Sequence, residues 1–158
     1  ICYTLHMSEP IFFYEHDFYI FSNFSSFAIE WKGKLWMTSE HVYHSERFDD
    51  EETKEKIRNM RSAHEAFKFA QVNKEKQRSD WNEVKLKVMK EILKMLVNVV
   101  LTVLLVFYVK KKSLDSGDRE VGEDSWRDDF WGWGPNKDGQ NHLGKLWMEI
   151  RDELKKGN

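Results

Sequence analysis

Cysteine is almost missing from this chain: Cys2 is the only one among 158 residues. A single thiol forms no internal disulfide and no all-cysteine zinc site, so secretion is not implied. Cys2 sits in an end segment expected to be disordered and has no claim as a nucleophile. A basic surplus is also missing. Lys and Arg number 25 against 27 Asp and Glu, a net charge of -2. With no excess cations to release counterions, a broad electrostatic grip on nucleic acid is excluded. No apolar stretch reaches the roughly 20 residues of a spanning helix. The nearest, residues 95–109, holds fifteen residues without a charge. Lys94 bounds it behind, Lys110 ahead, and Asn98 and Thr102 interrupt it, so a buried core segment is expected and no stable membrane insertion. Residues 1–6 are neither basic nor a long apolar run, so no signal peptide is expected, and the location expected is cytoplasmic. No repeat and no low-complexity tract is present. His41 and His44 lie beside Glu40 but lack an HExxH pattern and a third ligand, so neither a metal nor a cofactor is expected.

What the chain does have is aromatic mass. Seven Trp, eleven Phe and five Tyr make up 15% of it, within 41% hydrophobic and 33% charged residues. That is a globular composition, and a chain of this length buries roughly 70% of its unfolded surface. It fits one domain, read as 11–156, behind a flexible extension at 1–10.

Local pattern predicts short β-elements first and helices after. Ile11 to Tyr14 is rich in strand formers. Residues 28–31 and 34–36 flank Lys32-Gly33, a hairpin turn. Thr38 is a good N-cap, with Glu40 in the first turn of a helix running to about Phe48. A charged helix is expected over 49–61. Ser62-x-x-Glu65 matches a capping box and opens a helix through Gln71. Asp80-x-x-Glu83 opens another, where Trp81, Val84, Val88, Ile92 and Met95 share one face and Leu86, Met89, Leu93 and Leu96 a second. Periodicity does not decide whether 97–109 continues that helix or becomes a strand. Residues 113–123 read as a polar loop, and 125–144 as a loop containing three Trp. The last helix covers 142–154, with Leu143, Leu146, Trp147, Ile150 and Leu154 on one face. The class expected is α+β, mostly helical, with small N-terminal β-elements.

Four clusters pair aromatic rings with polar groups: Phe21 to Phe24, Trp36 to Tyr43, Asp80-Trp81, and Asp128 to Gly134 followed by Gly139 to Gly144. Aromatic faces beside amides and carboxylates suit a planar heterocycle on a sugar, with the ring stacked and its edge read by amides. Each also has a plain structural reading. Glu40 complements a helix dipole, Asp128 caps a turn, and the tryptophans fill a core.

Five motifs in order, FYxxDFYxFSNF from Phe13, GKxWxTSEHxY from Gly33, DWxxVKxxVM from Asp80, SxxDxxWGxG from Ser125 and GxNxLGxLxMxxR from Gly139, resemble the YbiA-like or NADAR family across nearly the whole chain from Ile11. The resemblance implies a compact single domain with N-glycosidase activity. Its reported substrate classes are phosphoribosylamino-pyrimidine intermediates of riboflavin synthesis and ADP-ribose on guanine. The implied partner is a small nucleotide-like substrate, or ADP-ribosylated guanine in nucleic acid. Carried over by position, Glu40 and Asp128 are the catalytic acids. The substrate-binding candidates are Asn23, Phe24, Trp36, His41, Tyr43, His44, Arg47, Trp81, Trp131, Gly132 and Asn141. The resemblance further implies that the acids come together in one aromatic-walled cavity.

The chain departs from the family pattern EHxxQxxKF. His44 stands for the glutamine and Arg47 for the lysine, Gly122 replaces an apolar residue, and 97–109 replaces a short polar link. Arg47 keeps the charge and can grip phosphate with two bonds, but it cannot deprotonate, which closes any amine-nucleophile mechanism at this position. In the implied reaction Glu40 stabilises the oxocarbenium ion or activates water, and Asp128 protonates the leaving nitrogen. That acid role requires Asp128 to hold its proton among Trp131 and Trp133, while Glu40, at a helix start, stays ionised. The alternative class is a nucleotide- or ADP-ribose-binding module without turnover.

Overall fold

Lys32 and Gly33 both take positive φ, 51° and 73°, the pairing that a tight two-residue hairpin loop requires. That turn belongs to a computed structural model describing residues 9–13, 18–98 and 103–157. The readings made on residues 1–8, Cys2 included, and on 99–102 of the apolar run lie outside the described residues. In chain order the elements are β1 (Ile11–Phe13), β2 (Ile29–Trp31), β3 (Lys34–Trp36), α1 (Ser39–Ser45), α2 (Glu51–Arg58), α3 (Ala63–Val72), α4 (Trp81–Asn98), α5 (Val103–Asp115), β4 (Val121–Glu123) and α6 (His142–Lys156). Short 3-10 turns fall at Tyr19–Phe21 and Lys74–Lys76. The mostly helical α+β class is as expected. The chain groups into two compact units, Asn23–Val103, and Ile1–Ser22 with Leu104–Asn158.

In the Asn23–Val103 unit, β2 and β3 pair antiparallel with Ile29 opposite Trp36 and Trp31 opposite Lys34. Period-two alternation turns Ile29, Trp31 and Trp36 inward and leaves Glu30 outside. Thr38 caps α1 by accepting the His41 N–H, and all seven residues of α1 are buried. Asp50 caps α2 through the Thr53 N–H at 2.7 Å. Ser62 caps α3 through the Glu65 N–H at 3.2 Å, and Glu65 answers by accepting the Arg61 N–H at 2.9 Å. Phe48, Ile57, Ala66 and Ala70 close a small apolar core. Along α4, Trp81, Val88, Met89, Ile92, Leu93, Leu96 and Val97 are buried. Asp80 opens that helix with its backbone carbonyl, which accepts the Glu83 N–H, and turns its carboxylate to Arg78 at 2.5 and 2.8 Å.

In the other unit, β1 and β4 form a parallel pair with Ile11 beside Val121 and Phe13 beside Glu123. The pattern predicts a polar loop over 113–123. Instead α5 continues to Asp115 and 121–123 is a strand. Val-Gly-Glu has little strand propensity of its own, and its partner lies a hundred residues earlier, so pairing overrides propensity. Gly122 makes room for the Trp133 indole, since a Cβ there would stand 3.0 Å from Trp133 Cε2. On α6, Leu143, Leu146, Trp147 and Ile150 are buried. The Trp147 indole N–H donates to the Phe21 carbonyl at 2.9 Å, and its ring packs on that of Phe21. The apolar run is not uniformly core. Leu96, Val97 and Val109 are buried, but Phe107 is 65% and Tyr108 43% exposed. On α5 the side carrying Val109 is covered and the side carrying Phe107 and Tyr108 is not. Among the described residues no helix is long and apolar enough to cross a membrane.

Candidate functional site

Glu40 is a carboxylate taken out of water. It stands in the first turn of α1, 5% exposed, with its own N–H bonded to the Asn23 carbonyl at 3.2 Å. One turn on, His44 Nε2 lies 2.8 Å from Glu40 Oε1. Beyond it, Arg47 Nη1 lies 3.1 Å from His44 Nδ1, and Arg47 Nη2 donates to Gln77 Oε1 at 3.3 Å. Glu40 and His44, at i and i+4, share one face of α1; the helix expected to run to about Phe48 ends at Ser45, so Arg47 reaches His44 from the turn that follows. Glu40 Oε2 receives no hydrogen bond among the described residues. Burial lowers the Arg47 pKa, opposed by Tyr43 and Glu40.

Rings surround this row. Tyr43 packs on Trp81 with centroids 5.0 Å apart, Arg47 lies 6.0 Å from the Trp81 centroid, and His44 meets the edge of Phe67 at 5.6 Å. Asn23 joins by holding α1 from below. Its carbonyl accepts the Ser39 hydroxyl at 3.1 Å, and its amide reaches the Met89 sulfur at 3.3 Å. Trp36 is buried, its indole N–H on the Trp31 carbonyl at 3.3 Å. Phe24 is exposed.

His41 is fully buried, with Nδ1 2.8 Å from the Thr38 hydroxyl and Nε2 3.2 Å from the Met60 carbonyl. A carbonyl only accepts, so Nε2 carries the proton and Nδ1 accepts from Thr38. Burial lowers the His41 pKa from 6.5, with the Met60 carbonyl and Glu40 opposing. A lowered pKa means that below about 6.5 the unfolded chain binds the proton first. Stability should therefore be full above pH 6.5 and fall as acid approaches the folded value. Urea midpoints at about pH 7.5 and about pH 5.5 should separate in the parent and draw closer in His41→Gln. Equal pH dependence in both chains would contradict this.

The second group lies in the other unit, within the loop from Asp124 to Asn141. Asp128 Oδ1 accepts the N–H groups of Phe130 and Trp131 at 2.9 and 2.8 Å, which is the turn-capping role. Its Oδ2 accepts none among the described residues. The Trp131 carbonyl receives the Leu143 N–H, and the Gly132 carbonyl the Asn141 N–H. These long-range backbone bonds make ordered structure of a segment without periodicity. Gly132 has no space for a side chain, since a Cβ would meet the Glu123 carbonyl at 2.8 Å. Asn141 takes a left-handed φ of 50°, and its amide clamps β4 by donating to the Val121 carbonyl at 2.9 Å and accepting the Glu123 N–H at 3.3 Å.

Eleven of the thirteen sequence-predicted residues thus fall into two groups, Asn23, Glu40, His41, Tyr43, His44, Arg47 and Trp81 in one unit and Asp128, Trp131, Gly132 and Asn141 in the other; Phe24 and Trp36 also lie in the first unit. Sequence reasoning missed Gln77, Phe67 and Met60. None of the three carries a motif signal, because each acts through a contact distant in the chain. Among the described residues no group of three or more His, Cys, Asp or Glu could hold a metal ion.

Comparison with known proteins sets this arrangement in a family. The model of the NADAR domain matches residues 12–155. A riboflavin biosynthesis protein of Vibrio vulnificus is 35% identical over 98% of this chain, which spans 42% of that protein's length. The N-glycosidase YbiA of Escherichia coli is 34% identical over 87% of this chain and 82% of its own. The NMR structure of the E. coli protein YbiA superimposes with a TM-score of 0.82 at 30% identity, covering 95% of this chain and 87% of that one.

Proposed function

The chain belongs to the NADAR domain family, and from that premise we propose that it is a hydrolase cleaving the N-glycosyl bond between a ribose, phosphoribose or ADP-ribose and a base-like amine. The observation that carries this reading is Glu40, a buried carboxylate with one oxygen anchored by His44 and the other uncommitted, beside the Tyr43 and Trp81 rings. The substrate class proposed is a small nucleotide-like molecule in the cytoplasm, either a phosphoribosylamino-pyrimidine or an ADP-ribosylated guanine.

As the bond to nitrogen lengthens, positive charge grows on the anomeric carbon and negative charge on the leaving nitrogen. Glu40 answers the first by stabilising the oxocarbenium ion or by taking a proton from attacking water. Asp128 is assigned the second, donating a proton to the leaving nitrogen from the oxygen that does not cap the turn. Arg47 has no deprotonated form at neutral pH, so an imine formed at this position is excluded, and in this reading the attacking group is water. Proton transfer accounts for about 10²–10⁴-fold, and orientation by ring stacking supplies much of the remainder.

Incubating the chain with each substrate class and weighing the products tests this reading. Free base together with the free sugar or sugar phosphate is expected from one of them. Bound but intact ligand from both would make the protein a binding module instead.

A further inference from the structure

We propose that His44 and Arg47 act as positioning residues, a two-step hydrogen-bond relay that fixes Glu40 as an oriented, proton-accepting carboxylate. The inference rests on the reading of Glu40 given above, and its carrying argument is the chemistry of the donors. A guanidinium has N–H donors and no acceptor. Arg47 Nη1 stands 3.1 Å from His44 Nδ1, so Nδ1 must offer its lone pair. The single proton of the neutral ring is then on Nε2, and that atom is 2.8 Å from Glu40 Oε1. The imidazolium form would turn a second cation's N–H against the guanidinium, which disfavours it. His44 therefore donates to Glu40 without carrying charge, and Glu40 accepts through one defined oxygen while Oε2 stays available to the reaction.

The relay is built into the fold at its far end. The Arg47 carbonyl accepts the Arg78 N–H at 2.8 Å, and Arg47 Nη2 bonds Gln77, so main chain and side chain are both held by residues 77–78. Arg47, His44 and Glu40 are 6%, 2% and 5% exposed. Water therefore does not compete for these bonds. Among the described residues Arg47 Nε is buried without a hydrogen-bond partner, and Nη1 and Nη2 bond His44 and Gln77. The groups facing His44 are Glu40, His41, Tyr43 and Arg47 from its own segment and the uncharged Phe67 ring from α3. The residues that depart from the family pattern EHxxQxxKF are thus used together.

Long-range proton–nitrogen NMR on histidine-labelled protein reads the relay directly, with the His44 signals assigned by their loss in H44Q. In the parent chain the His44 ring should carry its proton on Nε2 and leave Nδ1 bare at about pH 7.5. In R47M the donor is gone, so the ring should populate both tautomers. R47K, which keeps a cationic donor, should restore the parent pattern. Where turnover is measured, R47M should lower kcat by about 10- to 10²-fold, the loss typical of removing a partner that orients a reacting group, with KM little changed. A proton on Nδ1 or an imidazolium at neutral pH in the parent would overturn the relay, and so would an R47M spectrum like the parent's. Should R47M not fold, the parent spectrum alone decides. Absence of any cleavage by the parent would instead remove the glycosidase reading while leaving these spectra interpretable.

Discussion

Replacing Glu40 with glutamine should cost turnover about 10²–10⁴-fold while a base-containing ligand still binds. Glutamine keeps the volume of glutamate, and its amide oxygen can still accept from His44 Nε2, the bond that now spans 2.8 Å. What it loses is the negative charge and the ability to take a proton. The burial of this position makes that loss large, because the electrostatic effect of a charge grows as water is excluded. Ligand affinity measured by titration calorimetry should stay near the parent's, since the proposed stacking of the base on aromatic rings does not need the charge. Turnover equal to the parent's would take Glu40 out of the chemistry.

The second large effect concerns stability. Gly144 lies in the first turn of α6, where a Cβ would stand 2.0 Å from the Val121 carbonyl oxygen and 2.5 and 2.7 Å from the amide atoms of Asn141. The first of these is backbone and cannot turn aside. Gly144→Ala must push α6 off β4 and disturb the two bonds by which Asn141 clamps that strand. Overpacking of this kind costs about 3 kcal/mol. For a chain of this size that lowers Tm by about 6–12 °C. Gly157 serves as the internal control, since a Cβ there would meet its nearest neighbour, the Glu153 carbonyl, at 3.6 Å. Gly157→Ala should melt close to the parent, and a Gly144→Ala chain that did the same would contradict the docking of α6 on β4.

The two outcomes lie at opposite ends of what could be read from the amino-acid order. The Lys32-Gly33 turn, the Thr38 and Ser62 caps and the inward stripe of α4 were legible because each depends on neighbours within a few residues. Strand β4 was not, since Val121 and Glu123 become strand only against Ile11 and Phe13. The Phe107 and Tyr108 exposure was missed for a similar reason. An uncharged run announces burial, yet which side of the helix is covered depends on elements far away in the chain.

The candidate site divides along the same line. Glu40 could be placed in the first turn of α1 from the Thr38 cap, but the helix stops at Ser45, and Arg47 meets His44 from the following turn. The order of donation could not be read from spacing, because it follows from which atom of Arg47 meets which nitrogen of His44. Asp128 carried both a catalytic and a structural reading in the sequence. The two N–H groups on its Oδ1 realise the structural one. The late-loop glycines and Asn141 matched a family motif, and the physical reason emerges only with the backbone carbonyls that crowd Gly132 and Gly144.

The claim on which the account turns is that water opens a carbon–nitrogen bond at the anomeric carbon. Running the reaction in oxygen-18 water and weighing both products tests it most directly. The account predicts one heavy oxygen in the sugar product and none in the released base. Heavy oxygen in the base, with the sugar still attached, would show attack on the ring instead and contradict it.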